Sequence, residues 1–379
     1  MKKLFVLALC ALFAVGSAEA RTLYVSASRP DNSGNGLKPT TAKKTIQAAI
    51  NIAKDGDTIL VGAGTYAPIR TNNKRRVIKS LNGALKTKIV MPVRQYTIAL
   101  AQLGKTYALS SGGSSAPFSK GKSTALTGFL LDGMNRSLNS GSIVALSGGT
   151  VRSCSIRRMG SDTSRIWREA VAASGSTLIG CSFLNNKIRL ADTCLLNRCR
   201  LGNNRVRVYE GGYGLVKGGR LCNCLIDNNR TFGSAGNSEG TLFTATTLAN
   251  CTVVANVSYN EWRLEHLSAR SKLYNCILRE NYFQPAAGDE YWSEESIDEL
   301  GLPVIRNIDV GNAYSRTYAN NRNPKFVNER GGDYRLAKGS PCINQGGFNS
   351  TLASWLGSFD LGGNKRIRGG KIDMGCYEY

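Results

Sequence analysis

Between about residue 125 and residue 280, apolar side chains alternate with polar ones in short runs, and Gly, Asn and Ser punctuate the runs. Alternation predicts strands, and no long 3.6-residue pattern competes with it. Aligning the runs on cysteine exposes a recurring unit: TVRSCSIRRM from 150, TLIGCSFLNN from 177, LLNRCRLGNN from 195, RLCNCLIDNN from 220, TLANCTVVAN from 247 and KLYNCILREN from 272. Each unit has an apolar residue three before its cysteine and another two after it, the second set being Ile156, Phe183, Leu201, Ile226, Val253 and Leu278. Asn or a small turn-former precedes most of the cysteines, and Asn follows four or five later in all but the first unit. ALTGFLLDGMN from 125 fits the frame with Phe129 in the cysteine slot, so the steps are 25, 27, 18, 25, 27 and 25 residues.

A period near 25 predicts a solenoid. Leucine-rich repeats share that length but need a Leu-x-x-Leu-x-Leu register that is missing, which leaves stacked β-coils. Each coil turns its cysteine and flanking aliphatics inward, and stacked Asn amides hydrogen-bond along one corner. Cys154, Cys181, Cys199, Cys224, Cys251 and Cys276 then form a buried column of free thiols. Side chains repeating at the strand spacing of ~4.8 Å sit wider than the ~3.8 Å between Cβ atoms that a disulfide prefers.

Ahead of the repeats, TIQAAINIAKDGDTILVGAGTY predicts a helix over 45–53 with Ile46, Ala49, Ile50 and Ala53 on one face. A turn at Asp55-Gly56-Asp57 leads into a strand from Thr58 to Val61. A helix laid across the first coil covers an otherwise open apolar end.

The stretch YVSASRPDNSGNGLKPTTAKKTIQAAINIAKDGDTILVGAGTY resembles the opening of the pectate-lyase-like family of right-handed β-helix proteins. DYRLAKGSPCINQGG (333–347) and IDMGCYEY (372–379) resemble the tail common in its secreted bacterial members. The resemblance implies an all-β solenoid, a right-handed parallel β-helix with a short N-terminal capping helix and a C-terminal closing segment over 333–379. In that family tail the positions of Cys342 and Cys376 are usually both alanine and close together, so the resemblance implies a Cys342–Cys376 disulfide.

Function is less specified, because the fold hosts lyases, hydrolases, epimerases and non-catalytic adhesins. Hydrolases of the family carry an adjacent Asp pair and a Gly-His-Gly; this chain has no Asp-Asp, and its one histidine, His266, lies in LEHLS. The Arg-x-Pro-x-x-Arg stretch and calcium-binding Asp residues of the best-known lyases are also missing. No cofactor is called for: calcium at Asp31, Asn32, Ser33 and Asn35 explains DNSGNG less well than an ordinary Asn/Gly turn does.

Charge narrows the partners. With 49 Lys and Arg against 26 Asp and Glu, the formal net charge is +23. Residues 1–20 read as a secretory signal peptide, with Lys2 and Lys3, an apolar stretch from Leu4 to Val15 and Ala18-Glu19-Ala20 at the cleavage site. No later stretch approaches the ~20 apolar residues of a membrane span. The expectation is a single monomeric domain over 21–379, secreted, periplasmic or at the cell surface. Its partner is an acidic polysaccharide or an anionic surface and not nucleic acid.

One outward constellation suits such a partner. Trp167-Arg168 and Trp262-Arg263 occupy the same two positions of their coils, followed by Glu169 in one and by Glu265 and His266 in the other, and Glu239 shares the frame of Glu169. Indole faces stack on sugar rings and Arg forks grip carboxylates. Packing at a coil corner accounts for the same residues without any ligand. The acidic stretch AAGDEYWSEESIDELG (286–301) is expected as a solvated excursion. The leading expectation is a protein that engages acidic polysaccharide, with a polysaccharide-lyase-like activity in view; the alternative is a non-catalytic adhesin or matrix component.

Overall fold

The computed structural model describes residues 19–91, 100–104, 124–136, 144–160, 170–208, 214–233, 242–259, 268–269, 271–284, 304–305 and 323–379. Four long sheets run through them, built one strand per coil. One coil reads Arg189–Asp192 in the third sheet, Leu195–Asn197 in the first, Arg200–Gly202 in the second and Arg205–Val208 in the fourth. The next repeats it with Val216–Lys217, Arg220–Cys222, Leu225–Asp227 and Arg230–Gly233. Each strand pairs in parallel with its counterpart one coil away, and the first sheet stacks ten strands in this way. The sheet order makes the molecule a right-handed parallel β-helix.

The repeat is explained by its sharp corners. The residue before each cysteine adopts a positive φ, as in Gly180, Arg198, Asn223, Asn250 and Asn275, and turns the chain from the first sheet to the second. Asn and Gly tolerate that conformation, which is why they crowd this position. The cysteine that follows drops inward, and all six repeat cysteines are buried and free. Burial pushes the Cys154 thiol up to about 12, so it stays protonated and behaves as a small apolar group.

Five residues after the cysteine stands the predicted Asn ladder of Asn186, Asn204, Asn229, Asn256 and Asn281, all buried. Each side chain uses both ends. Asn229 Nδ2 donates to Leu201 O at 2.8 Å and to Asn256 Oδ1 at 2.9 Å, while its Oδ1 accepts from Asn204 N and Nδ2. The 18-residue step is the bare coil, since the chain passes from Ser182–Leu184 to Arg189–Asp192 with no fourth-sheet strand between them. Longer steps from Cys199 onward add that strand and the segment after it.

The capping helix spans Ile46–Ile52, with Thr45 Oγ1 accepting from Ala48 N and Ile46, Ala49 and Ile50 buried. Strand Thr58–Val61 follows and pairs with Thr22–Val25.

The segment 323–379 lies along the outer flank of the last coils. Its helix Ser350–Leu356 packs Leu352 and Leu356 on the outward Cys222 and Ala249. Three corner asparagines hold it: Asn223, Asn250 and Asn275 donate from Nδ2 to the carbonyls of Leu356, Asp373 and Gly347 at 2.8, 2.7 and 2.6 Å. This docking corrects the disulfide expectation, because Cys342 and Cys376 are both free. Cys342 packs with Ile277, Leu336 and Met374, whereas Cys376 packs with Leu225, Val254 and Tyr334. The chain steps from one coil to the next between them: Gly375 N bonds Asn275 O, and Cys376 N bonds Thr252 Oγ1. Met374, whose N–H donates to Cys342 O, takes the place beside Cys342.

Candidate functional site

Trp167, Arg168, Glu169, Glu239, Trp262, Arg263, Glu265 and His266 lie outside the described residues. The strands that flank their segments are described. Segment 161–169 runs from the second-sheet strand Ser155–Arg157 to Val171–Ser174, 234–241 from Arg230–Gly233 to Phe243–Thr244, and 260–267 from Val257–Tyr259 to Ser268–Ala269. The last two start from adjacent strands of the fourth sheet.

The outer face of that sheet carries a basic and aromatic array. Val206, Thr231 and Ser258 point inward and are buried, with Thr231 Oγ1 donating to Ser258 Oγ at 3.0 Å. The alternate residues Arg205, Arg207 and Arg230 are exposed and Phe232 is half-buried. Register sets Arg205 against Arg230 and Arg207 against Phe232. The Arg205 guanidinium lies over the Phe232 ring, 4.8 Å from its centroid. No carboxylate among the described residues pairs with any of the three arginines.

The neighbouring second sheet treats arginine differently. Arg200 grips Asp227 with Nε and Nη2 at 3.0 and 2.7 Å, and Arg157 and Arg158 converge on Asp132. Burial works to raise the Asp132 carboxyl, but hydrogen bonds from Arg158 and Met134 N outweigh it and hold the group below its ordinary value. These pairs are closed. On the third sheet Arg189 Nη1 meets Asp192 at 3.0 Å, both nearly buried, with Ser174 and Lys217 as the register neighbours of Asp192.

The DNSGNG turn uses its oxygens internally. Asp31 accepts from Ser33 N at 2.8 Å, Asn35 Oδ1 accepts from Leu37 N and from Thr41 Oγ1, and the Lys43 and Lys44 ammonium groups sit on the carbonyls of Asn32 and Pro30. Among the described residues no group of His, Cys, Asp and Glu has the arrangement of a metal site.

Arg205, Arg207, Arg230 and Phe232 were absent from the sequence-based candidates, although a signal for them exists. In NNRVRV and NNRTFG, polar or aromatic residues alternate with apolar or small ones directly after the ladder Asn. Counting in twos from that inward Asn lands on the buried Val206 and Thr231, which leaves the odd positions, with the arginines and Phe232, on the outside.

No family model and no curated protein matches the sequence. Among solved structures, the chain is similar to the pectate lyase Pel9A, with 14% identity, 96% of this chain and 97% of that one covered, and a TM-score of 0.39. It is similar to a rhamnogalacturonan lyase, with 12% identity, 71% and 75% coverage and a TM-score of 0.36. Pectin methylesterase PemA from Erwinia chrysanthemi shows 13% identity, 72% and 92% coverage and a TM-score of 0.35. Likenesses this distant carry no argument, and the sheet topology alone supplies the conclusion: the chain is a right-handed parallel β-helix.

Proposed function

We propose that this protein is exported and engages acidic polysaccharide on the outer face of the fourth sheet. The observation that carries the reading is the exposed row Arg205, Arg207 and Arg230, which has no carboxylate partner among the described residues and lies beside an aromatic ring. An exposed guanidinium without an internal partner keeps its donors for a ligand, and the fork matches a carboxylate in bidentate fashion. The net charge of +23 draws a polyanion toward the surface. Glu239, Trp262, Arg263, Glu265 and His266 are proposed to extend the same site, since the segments at 234–241 and 260–267 leave directly from fourth-sheet strands, and Trp167, Arg168 and Glu169 are proposed to join them on the repeat positions they share with Trp262, Arg263 and Glu239.

The reaction class proposed for such a site is β-elimination, in which a basic side chain takes the C5 proton of a uronate, the C4–O glycosidic bond breaks as the C4=C5 double bond forms, and the departing oxygen takes up a proton from water. Mature protein is incubated with pectate, alginate and sulfated glycans, and the absorbance of unsaturated uronate ends is followed beside retention on the same glycans immobilised. Growth of absorbance supports the lyase, retention without absorbance supports the adhesin or matrix alternative, and neither signal with any polymer overturns the proposal. Retention should weaken as salt rises, because the contact is electrostatic and exposed.

A further inference from the structure

Arginine stacks on an aromatic ring at three places among the described residues. Arg220 over Trp355 and Arg198 over Phe359 join the coils to the C-terminal segment, so those two belong to its docking. Arg205 over Phe232 joins two strands of the exposed fourth sheet and docks nothing from that segment. The contact is also diagonal: Phe232 is the register partner of Arg207, and Arg205 leans across to reach it. A guanidinium held over a ring loses rotamer freedom, and in the stacked arrangement that arginine favours its in-plane N–H donors stay clear of the ring.

We propose, on the reading of the site given above, that Phe232 is a positioning residue that acts through Arg205. It presents the Arg205 fork edge-on, and Arg205 and Arg230, register partners on adjacent strands, together clamp carboxylates on successive residues of a polyuronate. The ligand class is thus carboxylated and not sulfated, because a planar carboxylate meets a planar fork through two parallel hydrogen bonds. The strand spacing of ~4.8 Å places one fork per coil, so the polymer lies along the solenoid axis.

The experiment compares wild type, Phe232→Leu and Phe232→Tyr on polygalacturonate, on dextran sulfate of matched charge and length, and on poly-L-glutamate, which has carboxylates but no sugar ring. Phe232→Leu should weaken polygalacturonate and poly-L-glutamate alike, by about two- to fivefold, the loss expected of one exposed cation–π contact. Phe232→Tyr should bind as wild type does, and the unfolding midpoint should stay constant across the three proteins. Unchanged binding in Phe232→Leu, or a loss confined to polygalacturonate, overturns the positioning role, the latter because the ring then touches the sugar itself. Dextran sulfate bound as tightly as polygalacturonate overturns the ligand class. An arm without ligand follows the Arg205 Nε–H resonance: a ring-current shift in wild type that vanishes in Phe232→Leu is expected. An identical resonance in both proteins sinks the inference even where no polymer binds, whereas a failure of wild type to bind any polyanion counts against the proposed function.

Discussion

The inward and outward columns of the same coils repeat with the same period and follow opposite rules. Inside, Asn204, Asn229 and Asn256 have every amide group spent on a neighbouring coil, and the cysteines beside them are sealed from solvent. Outside, Arg205, Arg207 and Arg230 repeat on adjacent strands with no carboxylate among the described residues to spend their charge on. A periodic residue is therefore not structural merely because it recurs. What separates the two columns is whether each member satisfies the next one. Second-sheet arginines, closed on Asp132 and Asp227, side with the interior although they face outward.

The comparison breaks most visibly at the ladder. Asn229→Leu removes a side chain with four hydrogen-bond contacts and strands the Leu201 carbonyl and the Asn204 amide in a dry corner. Stranded buried groups cost ~1–3 kcal/mol each, so a loss of about 4 kcal/mol is expected in equilibrium denaturation. A loss below about 1 kcal/mol would mean that the ladder decorates the corner without holding it.

The C-terminal flank gives the next effect. Burial pushes Glu378 up to about 7, against the attraction of Arg366 at 3.5 Å. A carboxyl whose folded value is raised favours folding most when protonated. Its contribution is complete below about 4.5 and is lost as pH rises through 7, a fall of about 3 kcal/mol. Glu378→Gln should flatten the dependence of stability on pH across that window; an equal slope in both proteins would place its origin elsewhere.

Asp227→Ala tests the closed outer pairs. Its carboxylate is fully buried while Arg200 is nearly half exposed and can turn to water, so the loss should be smaller, about 2 kcal/mol. Arg207→Ala should change stability least, within ~0.5 kcal/mol, yet cut retention on polygalacturonate and lower its salt dependence. Should Arg207→Ala destabilise as much as Asp227→Ala, the distinction between open and closed arginines falls.

Much of the fold was legible because its causes are local. A residue that must take a positive φ before each inward cysteine selects Asn or Gly, and strand alternation fixes what faces in; both act within a few residues, so the coil, the thiol column, the Asn ladder and the helix Ile46–Ile52 follow from the sequence. Which arginine is closed was not legible, because Arg157 and Arg200 meet Asp132 and Asp227 across 25 and 27 residues, a match that only stacking in register creates. The free Cys342 and Cys376 were likewise decided by docking, where the step at Gly375 sends the two thiols to different coils. The sequence by itself determined the period, the corners and the interior, since each repeat carries its own turn and its own apolar pair. The tertiary structure alone decided which charges are spent and which thiols meet, since both depend on contacts between segments that no local pattern brings together.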